Sequence, residues 1–83
     1  MSQLYLSKPR GDNKHRLWFK SEDPKKVSEF KVACFMKMDI VKVQPIHHTD
    51  SKDFQVFEFW NGTFDEIVTE CQKVARILNI ELI

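Results

Sequence analysis

The stretch Phe54-Gln55-Val56-Phe57-Glu58-Phe59-Trp60-Asn61-Gly62-Thr63-Phe64-Asp65-Glu66-Ile67-Val68 decides the fold. Its first half is rich in aromatic and β-branched residues and alternates, with Phe57 and Phe59 facing one way and Phe54, Val56, Glu58 and Trp60 the other, which predicts a strand. Asn61-Gly62 breaks it, and Thr63 with Glu66 three residues on forms a capping box that opens a helix. Phe64, Ile67, Val68, Cys71, Val74, Ala75 and Leu78 then recur at helical spacing with polar residues between them. Asn79 is suited to end that helix, leaving Ile80-Glu81-Leu82-Ile83 as a short closing strand or a docked tail.

Upstream, the same order of elements is laid down once before. Gln3 to Ser7 alternates, with Leu4 and Leu6 opposite Tyr5, and the polar run Lys8 to Lys14 follows as a turn. His15 to Lys20 alternates again, setting Leu17 and Phe19 opposite Arg16, Trp18 and Lys20, so the two segments can pair as a hairpin. Asp23 fits the N-cap and Pro24 the first position of a helix reaching about Met38. Its inward stripe is Val27, Phe30, Cys34 and Met38, widened by Phe35, while Lys25, Lys26, Lys31 and Lys37 occupy the remaining surface. Ile40 to His48 reads as a strand with Val41 and Val43 opposite Lys42 and Gln44, and Pro45 within it marks an edge strand or a bulge. Thr49 to Asp53 is a loop of turn formers.

The resulting order is ββαββα, with a closing β at the end as an option. It predicts a single α+β domain over residues 1–83, a two-layer sandwich with two helices on one face of a mainly antiparallel sheet. If the first strand were peripheral and the last one real, the remainder would be βαββαβ, an element order that resembles the ferredoxin-like arrangement.

Composition agrees with a folded domain: 42% of the residues are hydrophobic, and the ten aromatics include seven Phe, too apolar for a disordered chain. At 83 residues a single core gives modest stability, so pairing with a second copy or a partner is expected. Net charge is only +1, yet residues 1–42 hold ten Lys/Arg against five Asp/Glu and residues 43–83 hold three against seven, so the halves are about +5 and −4. Such asymmetry suits a basic contact surface or head-to-tail self-contact. No run approaches the roughly 18 apolar residues of a membrane span, and the N-terminus lacks a signal-peptide pattern, so a cytoplasmic protein with no membrane partner is expected. Cys34 and Cys71 both fall on inward helix faces and are expected as free, packed thiols.

If the helices cover the face bearing Leu4, Leu6, Leu17, Phe19, Val41, Val43, Phe57 and Phe59, the opposite face carries the candidate binding residues Tyr5, Arg16, Trp18, Lys20, Lys42, Phe54 and Trp60, with Gln44 and Val56 among them. Aromatics among cations on an open sheet can stack bases while holding phosphates, and this arrangement resembles that of RNA-recognition-motif domains. That family's glycine-punctuated signature on the third strand is absent, and Glu58 is acidic where the face should be basic. An aromatic patch rimmed by charge equally describes a protein interface.

Other signals resolve to local structure. His15, His47 and His48 lack metal-ligand spacing, because adjacent His47 and His48 point to opposite faces of a strand. Arg10-Gly11-Asp12 and Asn61-Gly62-Thr63, which match an integrin-recognition tripeptide and a glycosylation acceptor, are better explained as turn and cap residues. Asp23, Asp65 and Glu66 are helix-start carboxylates rather than an acid–base pair. With no nucleophile context and no glycine-rich phosphate loop, neither a cofactor nor catalysis is expected. The expectation is a non-enzymatic regulator or inhibitor, of the small single-domain kind that phages and mobile elements encode, masking a partner protein through its aromatic sheet face and basic N-terminal half. Its alternative is a module that binds single-stranded RNA or DNA. A homodimer is a further expectation of either reading.

Overall fold

Alternation of apolar and polar residues twice builds a hairpin here, and two capped amphipathic segments close over one side of the sheet it makes. The computed structural model describes residues 2–7 and 14–82, so most of the expected turn at Lys8–Lys14, the Arg10-Gly11-Asp12 tripeptide and Ile83 lie outside the described residues. The elements are β1 (Gln3–Ser7), β2 (His15–Lys20), α1 (Pro24–Lys37), β3 (Pro45–Asp50), β4 (Phe54–Phe59) and α2 (Phe64–Ile77). Strand order is β1-β2-β4-β3 and every neighbouring pair is antiparallel. This is the predicted two-layer α+β sandwich in ββαββα order. The optional closing strand is reduced to one isolated parallel bridge between Leu82 and Leu4. The ferredoxin-like order is thus not reached, because β1 pairs fully with β2 and occupies the edge that a final strand would need.

Register sorts the side chains into two faces. Toward the helices stand Leu4, Phe19 and Gln55 in one row and Leu6, Leu17 and Phe57 in the next. Val27, Phe30, Ala33 and Cys34 from α1, and Ile67, Cys71, Val74 and Ala75 from α2, are buried against them. Phe30 is the centre of this core: its ring stacks on Phe19 at 4.4 Å between centroids and meets Phe57 edge-on at 5.8 Å.

The helix boundaries follow from cap chemistry. The Asp23 side chain accepts a hydrogen bond from Lys25 N at 3.0 Å, with Pro24 in the first turn. At α2, Thr63 Oγ1 accepts from Glu66 N at 3.3 Å while Glu66 Oε1 accepts from Thr63 N at 3.0 Å. Asn79, at φ 55°, ends α2 as Ile80 N donates to Ala75 O and Asn79 N to Arg76 O, the paired bonds of a Schellman cap.

The expected strand from Ile40 to His48 is overturned at both ends. Ile40 to Lys42 are not strand but a turn. Asp39 Oδ1 accepts from Val41 N, and Asp39 O accepts from both Lys42 N and Val43 N. Glu70 Oε1 holds the start of that turn by accepting from Asp39 N at 2.6 Å. The turn bonds offered by one aspartate outweigh the β-propensity of Ile40-Val41-Lys42-Val43. Val43 still enters the core, whereas Val41 is 85% exposed instead of facing inward. The strand begins later, at Pro45, and runs through Thr49 and Asp50, residues whose turn-forming character predicts a loop. Pro45 does mark an edge strand, and the register of β3 on β4 slips between His47 and Thr49 as a bulge.

Candidate functional site

The face turned away from the helices is built from three cross-strand rows. Tyr5, Trp18, Val56 and Thr49 form the middle row; Gln3, Lys20 and Phe54 lie on one side and Ser7, Arg16, Glu58 and Ile46 on the other. The antiparallel register therefore gathers six of the seven predicted site residues: Tyr5, Arg16, Trp18, Lys20 and Phe54 within the strands, and Trp60 one residue past β4. The seventh, Lys42, is displaced. Its turn puts it beside Asp65, Glu66, Thr69 and Glu70 of α2, so it takes no part in this face.

The aromatics make a continuous array. Tyr5 and Trp18 rings are 6.1 Å apart and 6° from parallel, and Trp18 and Phe54 are 6.0 Å apart at 26°. All three are half-buried, and Val56 beneath them is 2% exposed although no helix covers it. The array is thus partly a second, smaller core that seals its own side of the sheet.

Trp60 differs, because it is 58% exposed and held from two sides. Its Nε1 donates to Glu58 Oε2 at 3.2 Å, and Lys14 Nζ stands 4.0 Å from the ring centroid. The other oxygen of the same carboxylate accepts from Arg16 Nε at 3.1 Å and Nη2 at 3.0 Å. Burial pushes the Glu58 carboxyl up, but the hydrogen bonds from Arg16 and Trp60 and the Arg16 charge outweigh it and hold the group below the usual carboxylate range. The site is therefore an ion-paired cluster, Arg16–Glu58–Trp60–Lys14, flanking an apolar array, with exposed Lys20 at the far side.

The sequence alone does not point to Lys14 or Ile46, and it marks Glu58 only as an acidic residue on the predicted outer face. The signal for Glu58 lay in its spacing, two residues before Trp60 on the same face. Its partner Arg16 depends on register, which the sequence did not specify. The basic N-terminal half does not form one surface either. Lys14, Arg16 and Lys20 reach the outer sheet face, while Lys25, Lys26 and Lys37 stand exposed on α1 in the opposite layer and Lys31 pairs with Asp50 at 3.0 Å.

On β3 and β4 a second polar cluster forms around Gln55. His47 Nε2 lies within hydrogen-bond reach of Thr49 O at 2.7 Å and of Gln55 Oε1, and Gln55 Nε2 donates to Asp50 Oδ1 at 2.7 Å. Among the described residues no three His, Cys, Asp or Glu side chains converge as a metal site, and no helix is long and apolar enough to cross a membrane. Compared with known proteins, the chain matches no family model, no curated protein and no solved structure.

Proposed function

We propose that this chain is a non-enzymatic binding module that regulates or inhibits a partner protein by masking it, with the outer sheet face as the contact surface. The observation that carries this reading is the state of Trp60: a large indole, mostly exposed, yet fixed by Glu58 on its N–H and Lys14 over its ring. An aromatic side chain already held in one orientation loses little freedom on docking, which is what an interface anchor requires. The half-buried Tyr5–Trp18–Phe54 array supplies a flat apolar surround, and Ile46, 37% exposed, extends it toward β3.

The charge arrangement favours a protein over a nucleic acid. Arg16 donates two hydrogen bonds to Glu58, and the same carboxylate also binds the Trp60 N–H, so a negative charge lies between the cation and the exposed ring, where it would repel a phosphate. A single-strand binder gains affinity from cations that exchange small counterions for phosphates, so a neutralised cation contributes little. The deciding measurement is titration of the purified chain with mixed-sequence single-stranded RNA and DNA at low and moderate salt. It is accompanied by ribonuclease-treated pull-downs that compare the parent with Trp60→Ala. The proposal expects no oligonucleotide binding at moderate salt and a protein captured by the parent but lost from Trp60→Ala. Salt-dependent oligonucleotide binding that falls with Trp18→Ala or Trp60→Ala would replace this reading with the nucleic-acid one.

A further inference from the structure

The helix layer leaves a second surface that the sheet-face reading does not use. Between α1 and the end of α2 runs a groove of roughly 450 Å³ whose lining includes Glu29, Val32, Ala33, Met36, Lys37 and Ile77. Val32 is 59% exposed, Met36 73% and Ile77 50%, which is unusual for large apolar side chains clustered on one side of a small domain. Ala33, nearly buried, forms the floor between them, so another helix can approach closely.

The two charges in this lining identify the occupant. Glu29 and Lys37 lie eight residues apart on α1, which is about 12 Å along the axis. Neither is engaged by a hydrogen bond or ion pair among the described residues. A two-fold axis through the middle of this segment, at Ala33, reverses the order of charges. Glu29 of each copy then faces Lys37 of the other, while Val32 and Met36 of both fill the space between. Self-complementarity of this kind is what an isologous interface demands. A foreign segment would have to supply both the apolar stripe and the reversed charge order, whereas a second copy carries both. We infer that two copies of the chain pair through this groove, with α1 packed antiparallel on α1 of its mate about an axis near Ala33. The sheet face, in the opposite layer, stays open in that dimer for its own partner.

The experiment is sedimentation of the full chain over about 1 µM to about 1 mM, with four exposed substitutions whose folding is checked by circular dichroism. The parent should show a reversible monomer–dimer equilibrium. Met36→Glu should raise its dissociation constant at least about tenfold by placing a charge in the apolar seam. Glu29→Lys and Lys37→Glu should each weaken self-association by about three- to tenfold, since each sets like charges face to face twice. Mixed in equal amounts, those two variants should form a heterodimer at least as tight as the parent dimer. One copy then presents lysine at both positions and its mate glutamate at both, so each facing pair is again of opposite charge. Trp60→Ala should leave the equilibrium unchanged. A strict monomer over the whole range, a dimer indifferent to Met36→Glu, a dimer lost in Trp60→Ala, or a mixture no tighter than its two components would each overturn the inference.

Discussion

Arg16 stands directly opposite Glu58 across the β2–β4 ladder, and its Nε and Nη2 both donate to a single carboxylate oxygen, Oε1. The other oxygen receives the Trp60 indole N–H, so one carboxylate couples a cation to the most exposed ring of the sheet face. Folding lowers the Glu58 pKa, since burial raises it less than the Arg16 and Trp60 hydrogen bonds and the Arg16 charge lower it. A carboxylate lowered on folding stabilises the native state fully above its unfolded value, about 4.3, and loses that contribution as pH falls through the folded value. The urea midpoint should therefore drop between about pH 5 and about pH 3, and Glu58→Gln should make the drop shallower. An unchanged pH profile in Glu58→Gln would show that the cluster does not contribute to acid stability.

Gly62 is predicted to resist even alanine. Its φ of +100° lies where L side chains are rarely found, and a Cβ there would sit 2.8 Å from Val43 Cγ1 and 2.9 Å from Lys42 O. Gly62→Ala should destabilise the fold by about 1 to 3 kcal/mol in chemical denaturation, because both the backbone conformation and the contact with the turn after α1 must give. A loss within experimental error would mean that the segment joining β4 to α2 relaxes freely.

What the sequence made legible, and what it did not, divides along the range of the interactions. Capping by Asp23 and by Thr63 with Glu66 is decided within four residues, and both helices start where those residues place them. Pro45 likewise announces an edge strand through its own missing N–H, whereas the bulge lies further on, between His47 and Thr49. The segment Ile40–Lys42 departs from its β-propensity for a mixed reason: Asp39 closes the turn locally on Val41, Lys42 and Val43, and the start of that turn is held by the Glu70 carboxylate, 31 positions away, which accepts from Asp39 N. Lys42 left the candidate site for that reason. The Arg16–Glu58 pair, 42 positions apart, waited on strand register in the same way. The groove at Val32 and Met36 was missed because a stripe through Val27, Phe30, Cys34 and Met38 already accounted for the inward face, leaving the surplus apolar residues of α1 without a role.

Both thiols should be slow to react. Cys34 and Cys71 are fully buried and free, and burial, with Cys71 adding to the effect at Cys34, raises the Cys34 thiol far above its ordinary range. Burial, followed by the neighbouring Glu70 carboxylate, pushes the Cys71 thiol up to about 12. Since the thiolate is the reactive form, a thiol reagent at neutral pH should label neither cysteine while the protein is folded and both once it is denatured. Immediate reaction of either in the native state would contradict the packing of α1 and α2 on the sheet.

The two tryptophans should separate stability from binding. Trp18 lies between Tyr5 and Phe54 in the half-buried array and stands directly opposite Val56, so Trp18→Ala removes packing on which the outer side of the sheet depends. A loss of about 1 to 3 kcal/mol in unfolding free energy is expected, less than for a fully buried ring. Trp60 is mostly exposed and gives up only one hydrogen bond and one cation–π contact, so Trp60→Ala should change stability by less than about 1 kcal/mol. Acrylamide quenching in the single-tryptophan variants Trp18→Phe and Trp60→Phe provides an independent check, with the fluorescence of Trp60 quenched more strongly than that of Trp18. A partner docked on the outer sheet face should protect Trp60 from the quencher, and without any partner the thermal midpoint of Trp60→Ala should stay close to the parent's. Should Trp60→Ala instead unfold as readily as Trp18→Ala, the exposed indole would be part of what holds the sheet together, and its role as an anchor for a partner would lose its basis.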